Sequence, residues 1–105
     1  MTTDTPPTFR RVKRLELILD AIHAEAATQL LESLDVTGYT VLQNAMGQGD
    51  RGKRIGGDIS DVFTNWVIVT TCPPDRLPSI AAALQPLLQQ HGGVLLTTDA
   101  DYLEH

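Results

Sequence analysis

Three cations, Arg51, Lys53 and Arg54, stand among Gly47, Gly49, Gly52, Gly56 and Gly57, in a chain that holds eight glycines in all. Glycine lets backbone N–H groups come close to a ligand, and the cations supply charge. Together they point to capture of an anion, with phosphate the first choice. Arginine in particular suits forked contacts to phosphate oxygens. The same composition disfavours regular structure, because each glycine gives up backbone entropy on ordering.

Gly47-Gln48-Gly49-Asp50-Arg51-Gly52-Lys53 also fits the opening of the phosphate-loop pattern GxxxxGK[ST]. Arg54 then stands where a magnesium-binding Ser or Thr belongs. Ile55-Gly56-Gly57 cannot begin the helix whose N-terminus gives that motif its anion affinity. Nucleoside triphosphate hydrolysis of the P-loop kind is excluded on these residues.

Two strand-like runs hold the loop. Gly38-Tyr39-Thr40-Val41-Leu42-Gln43 precedes it, with the second strand at Tyr39 to Gln43, and the third strand follows from about Val62 to Thr71. A hairpin connection usually takes about two to five residues. Asn44 to Asp61 is far longer, so the connection is either functional or disordered, and its glycines predict mobility without ligand. The third strand is apolar or β-branched on both sides: Phe63, Val67 and Val69 on one, Val62, Trp66 and Ile68 on the other. Such a strand is buried on both faces. Helices in a chain this short cover one face, which leaves the other for a second subunit.

The remaining elements follow from pattern. Residues 1–11 form a tail, Thr- and Pro-rich up to Phe9 and expected to be disordered. Arg10, Arg11, Lys13 and Arg14 are either a solvated lead into a strand or a second anion contact. Leu15, Leu17 and Leu19 alternate with Arg14, Glu16 and Ile18, which predicts a strand over Val12–Asp20. Asp20 suits the N-cap of a helix from Ala21 to about Asp35. Ile22, Ala26, Leu30 and Leu34 form its apolar stripe, with Ala27 and Leu31 beside them and His23 at the surface. Cys72-Pro73-Pro74-Asp75 ends the third strand and starts a second helix. Its core side is Leu77, Ile80, Ala81, Leu84, Leu87 and Leu88, and Pro86 should kink or break it near Ala82–Gln85. His91-Gly92-Gly93 stops this helix, and Val94 to Thr98 is the last strand. The order βαββαβ defines an α+β, ferredoxin-like sandwich over residues 12–102: an antiparallel sheet, two helices on one face, and a long loop between the second and third strands. Residues 103–105, Leu-Glu-His, have the look of a truncated purification tag and carry no functional weight.

A chain of 105 residues supports one core and one domain. The net charge of −5 disfavours binding to nucleic acid or anionic membranes. The lone Cys72 excludes an intramolecular disulfide and fits a reducing compartment. No apolar run approaches the roughly 20 residues of a membrane span, and no signal-peptide core follows the N-terminus, so the cytoplasm is the expected location. His23, His91 and His105 share no metal-ligand spacing, and no nucleophile–base pair is visible; neither a metal site, a covalent cofactor nor catalysis is expected. Arg76 stands apart from both basic clusters and is expected to be inert toward ligand.

Val36-Thr37-Gly38-Tyr39-Thr40-Val41, the long loop after it and the βαββαβ order resemble the PII-like signalling proteins. The first stretch is similar to the lead into that family's T-loop, and Gly47 to Lys53 to the loop's base. The family pattern departs before the last strand, where a glycine-rich loop carries a lysine; this chain has only His91-Gly92-Gly93. In place of the family's basic C-terminal segment stand Asp99, Asp101 and Glu104, and no tyrosine lies between Gly47 and Asp61. In these respects the chain is most similar to the divergent PII-like proteins associated with bicarbonate transport and carboxysomes. That resemblance implies a homotrimer with an adenine nucleotide in each inter-subunit cleft, bicarbonate as a second signal, and an inorganic-carbon transporter or carboxysome component as the target. The nucleotide-binding residues it implies are Gly38, Tyr39, Thr40, Val41, Gly47, Gln48, Gly49, Arg51, Lys53, Arg54 and Gly92. With few cations, ADP or AMP is better matched than ATP.

Two other functions suit the same fold. An RNA-binding ferredoxin-like domain needs exposed aromatics on the central strands and a basic sheet, whereas Phe63 and Trp66 fall on opposite faces and the chain is acidic. A small-molecule-binding module needs polar residues converging on a pocket.

Overall fold

The computed structural model describes residues 5–36, 38–49, 52–54 and 64–105. Strand β1 (Phe9–Asp20) leads into helix α1 (Ala21–Ser33), followed by β2 (Tyr39–Ala45), a small hairpin of β3 (Gly47–Gly49) and β4 (Gly52–Arg54), then β5 (Asn65–Cys72), a 3-10 turn at Pro74–Arg76, helix α2 (Leu77–His91) and β6 (Val94–Leu103). The four long strands form an antiparallel sheet in the order β2-β5-β1-β6. This is the expected sandwich, with a hairpin set into the long connection.

Alternation in β1 builds the core. Leu15, Leu17 and Leu19 face Thr70, Ile68 and Trp66 of β5, while Leu15 and Leu17 also face Thr97 and Leu95 of β6. The three leucines join Ala24, Ala27 and Leu31 of α1 and Ile80 and Leu84 of α2 in one buried cluster. Burying each leucine or isoleucine of this cluster contributes about 1.5–3 kcal/mol. The opposite sheet face carries Ile18, Val67, Leu42, Val94 and Leu96, and there Leu42, Val94 and Leu96 are 58%, 47% and 50% exposed. So β5 is fully buried on one side only: Ile68, Thr70 and Cys72 are buried, whereas Val67 and Val69 are half-buried. Val62 and Phe63 lie outside the described residues.

Several local expectations are corrected. The side of α1 that meets the core is Ala24, Ala27, Thr28 and Leu31. Ile22 and Ala26 are exposed. Small alanines at this contact let the helix lie close to the sheet, which a stripe read from the larger residues misses. Helix α2 runs unbroken through Pro86. Ala82, whose carbonyl loses its donor to the proline, is on the exposed side with Pro86, where water can take the place of that bond. His23 is not a free surface residue. Its ring Nδ1 lies 2.7 Å from Asp20 Oδ1, and its backbone N–H donates to the same oxygen, so Asp20 is the N-cap that was expected.

β1 starts three residues before Val12, and β6 runs five beyond Thr98, because the two ends pair with each other. Phe9 lies opposite Leu103, Arg11 opposite Asp101 and Lys13 opposite Asp99. Phe9, Arg10 and Arg11 therefore belong to a strand and not to a tail, and Leu103 is a strand residue. The basic run is engaged in place: Lys13 bonds Asp99 at 2.5 Å, Arg11 bonds Asp101 at 3.0 Å, Arg14 pairs with Glu16, and Arg10 lies 4.3 Å over the Tyr102 ring. The acidic last strand answers the charge of Lys13 and Arg11, and Glu16 of β1 that of Arg14, which favours a lead into a strand over a second anion contact.

Candidate functional site

The connection from α1 to β2 is pinned from three sides. Asp35 takes a left-handed conformation (φ 59°) that turns the chain out of the helix. Thr70 of β5 donates its hydroxyl to the Gly38 carbonyl. The Tyr39 phenol donates to Glu32 Oε1 of α1 at 2.7 Å, and this bond, with burial and the carboxylate's charge, raises the phenol above its ordinary range. Arg76, at the end of the 3-10 turn, donates Nη2 to the Leu34 carbonyl at 2.5 Å and Nη1 to the Asp35 carbonyl at 3.4 Å. Arg76 is thus tied to the base of the Gly38 segment, although it stands apart from both basic clusters in sequence.

Gly38 itself is informative. It does not adopt a positive φ, and a Cβ built on it would meet nothing within 4 Å. The fold of the single chain does not require glycine there. Gly93 is the opposite case. At φ +117° its Cβ would stand 2.9 Å from the Ile18 carbonyl oxygen, so the turn into β6 demands glycine. Gly92 (φ 82°) terminates α2 and donates its N–H to the Leu88 carbonyl, which gives it a structural reason as well.

Leu42 and Ala45 flank a bulge in β2, with Asn44 at φ 60°. Beyond it the backbone folds back on itself, with Gly47 opposite Arg54, Gln48 opposite Lys53 and Gly49 opposite Gly52. Part of the glycine-rich stretch is therefore paired strand, where neither helix nor strand was expected. The GxxxxGK stretch enters a strand after Gly52 and not a helix, which agrees with its exclusion as a P-loop. Arg51 and residues 55–63 lie outside the described residues, as does Thr37.

The register shows which site residues one chain can bring together. Tyr39 is aligned through Thr70 with Leu15, whereas Val94 is aligned with Ile18 and Ala45 through Asn65 with Asp20. Gly38 lies just outside one end of β2, and Gly92 lies beyond the other end of the sheet, at β6. With β5 and β1 between them, the two are separated by about 14 Å across the sheet and about 20 Å along the strands. Gly38 to Val41 and Gly92 do not meet within one chain. Gly92 shares its end of the sheet with the base of the hairpin-bearing loop.

His91, just before Gly92, stacks on His23. Sequence spacing could not have found this pair, nor the role of Thr70; the isolated cation Arg76 was the one signal available. Among the described residues no three His, Cys, Asp or Glu side chains are placed to hold a metal ion, and no helix is long and apolar enough to cross a membrane. The open sheet face mixes aliphatic residues with Arg14, Glu16 and Tyr102; on its central strands β1 and β5 the described residues include no aromatic side chain for stacking RNA bases, and Trp66 packs against the core.

A ferredoxin-like sandwich with a long hairpin-bearing loop and an uncovered sheet face has the build of a PII-like signalling domain. The family model described as nitrogen regulatory protein P-II matches residues 12–103, and the chain belongs to that family of regulatory proteins. Among solved structures it is similar to CPII, a nitrogen regulatory PII-like protein from Thiomonas intermedia K12 bound to ADP, AMP and bicarbonate. The identity is 28%, with 92% of each chain covered and a TM-score of 0.85. CPII from the same organism bound to ADP and bicarbonate matches with 30% identity, 92% of this chain and 93% of that chain covered, and a TM-score of 0.82. The apo form of CPII matches with 25% identity, 95% and 100% coverage, and a TM-score of 0.77. No curated protein sequence matches the chain significantly.

Proposed function

We propose that this protein senses adenine nucleotides as a homotrimer, binding ADP or AMP in preference to ATP in clefts between subunits. Bicarbonate serves as a second ligand, and the long loop between β2 and β5 carries the signal to a component of inorganic-carbon transport or of the carboxysome in the cytoplasm. The observation that carries this reading is the glycine at position 38. Its own chain leaves open space where a side chain would stand, so the bare backbone is free to be approached by a group from outside the chain. The distance between Gly38 and Gly92 supports a site completed by a second copy, and the exposed Leu42, Val94 and Leu96 of the open sheet face supply an apolar surface for assembly. The related CPII structures, bound to ADP, AMP and bicarbonate, support the choice of ligands.

In this reading Gly38, Tyr39, Thr40 and Val41 hold the nucleotide on one side, with the adenine against this segment and β5 of a neighbouring subunit. Gly47, Gln48, Gly49, Arg51, Lys53 and Arg54 gather at the phosphates, and Gly92 approaches from another copy. Calorimetry with ADP, AMP, ATP and adenosine, with and without bicarbonate, tests it. Arg51→Ala removes a charge-assisted contact of about 1.5–3 kcal/mol and is expected to weaken ADP binding about ten- to a hundredfold. Gly38→Ala is expected to weaken it while the fold keeps its stability. Adenosine binding as tightly as ADP, or Arg51→Ala matching the parent, would overturn the phosphate site.

A further inference from the structure

α1 ends at Ser33, and an α-helix leaves its last carbonyls without partners of their own. Two carbonyls just past that end, those of Leu34 and Asp35, are taken by one guanidinium, Arg76, which comes from the turn that follows β5. The donor is itself braced. Arg76 stands at the end of the Pro73-Pro74 turn, where its N–H donates to the Pro73 carbonyl at 3.0 Å and its carbonyl accepts from Ser79 Oγ at 3.0 Å. From Asp35 the chain has only a short way to Gly38 and Tyr39, held at their other end by Thr70 and Glu32.

We propose that Arg76 is a positioning residue for nucleotide binding: by clamping the Leu34 and Asp35 carbonyls it sets where the bare Gly38 backbone lies. This rests on the nucleotide reading above and adds a residue to it. The forked guanidinium suits the task because it spans two acceptors with fixed geometry, whereas a lysine ammonium is a point donor on a flexible stem. A merely stabilising cap at the end of α1 would change the melting temperature and leave the ligand's affinity, measured well below melting, untouched.

The experiment compares the parent, Arg76→Lys and Arg76→Ala by calorimetry with ADP, alongside amide hydrogen exchange of the ligand-free proteins. Arg76→Ala is expected to bind ADP about tenfold more weakly, with faster exchange at Gly38 and Tyr39 and unchanged exchange inside β1. Arg76→Lys should fall between, and millimolar methylguanidinium should restore part of the affinity of Arg76→Ala. Should Arg76→Ala fail to fold, Arg76→Lys decides, and parental affinity there overturns the proposal. A parent that binds ADP beside an Arg76→Ala variant of equal affinity overturns this inference alone. A parent that does not bind ADP overturns the nucleotide reading and this inference with it.

Discussion

The imidazoles of His23 and His91 lie nearly parallel, with ring centroids 3.6 Å apart and planes inclined by 13°. One comes from the first turn of α1 and the other from the last turn of α2, so the stack ties the opening of one helix to the close of the next. Gly92 and Gly93 follow at once, and Asp20 holds His23 from the end of β1. The corner where α2 turns into β6 is thereby joined to the corner where β1 turns into α1.

Breaking this stack should cost stability locally. A stacked ring pair contributes about 0.5–1.5 kcal/mol beyond its buried area, so His91→Ala is expected to lower unfolding free energy by about that amount in urea titrations. His23→Ala should cost more, because the contact between the imidazole and Asp20 is lost as well, while His91→Phe should keep most of the effect. A double-mutant cycle giving additive losses for His23 and His91 would show that the rings do not interact.

The Tyr39–Glu32 bond makes a statement about alkaline pH. The phenol is raised chiefly by donating to the carboxylate, then by burial and by the carboxylate's charge. A group raised in the folded state contributes its stability fully below its unfolded value, about 10 for tyrosine, and loses it as pH climbs through the folded value. Absorbance titration should therefore show Tyr39 ionising later in the parent than in Glu32→Ala. Identical curves would mean that the bond does not form in solution.

Asp99 gives the opposite sign. The hydrogen bond from Lys13 lowers its carboxyl first, then the charge of Lys13; burial opposes them, and the charge of Arg11 adds the least. A depressed carboxylate contributes above its unfolded value of about 3.9 and loses that contribution as pH falls through the folded value. The pair is exposed, so added salt should weaken it. On acidification below about pH 4 the paired ends of β1 and β6 should exchange their amides faster in the parent. In Asp99→Asn that acid dependence should flatten, and an unchanged profile would rule the pair out as its source.

Alternation and punctuation made most of the fold legible. Leu15, Leu17 and Leu19, the Asp20 cap and the His91-Gly92-Gly93 stop each carry their instruction in adjacent residues. What stayed hidden depends on partners distant in sequence. The pairing of Arg11 and Lys13 with Asp101 and Asp99 lengthened two strands that local composition assigned to a tail and a tag. The core side of α1 was misread because small alanines pack where larger residues drew the eye. For the site, the Gly38–Val41 stretch and the loop stood out as a motif, whereas Arg76, Thr70 and the histidine pair act through tertiary contacts that no spacing announces.

The two sides of β5 allow a test of assembly that position 68 alone could not provide. Both Ile68 and Val67 lie in an apolar run, and from sequence either could face a partner. In the structure Ile68 is fully buried beneath the helices, whereas Val67 lies on the open face with Ile18, Leu42 and Val94. A charge at Ile68 would be buried without a partner, so Ile68→Asp should fail to fold rather than dissociate. Val67→Asp places its charge at the surface of a single chain but inside any interface built on this face. It is expected to give a folded monomer by circular dichroism and light scattering, against a trimer for the parent. A parent that remains a well-folded monomer at micromolar concentration, or a Val67→Asp variant with the parent's mass, would show that the open face is not where the subunits meet.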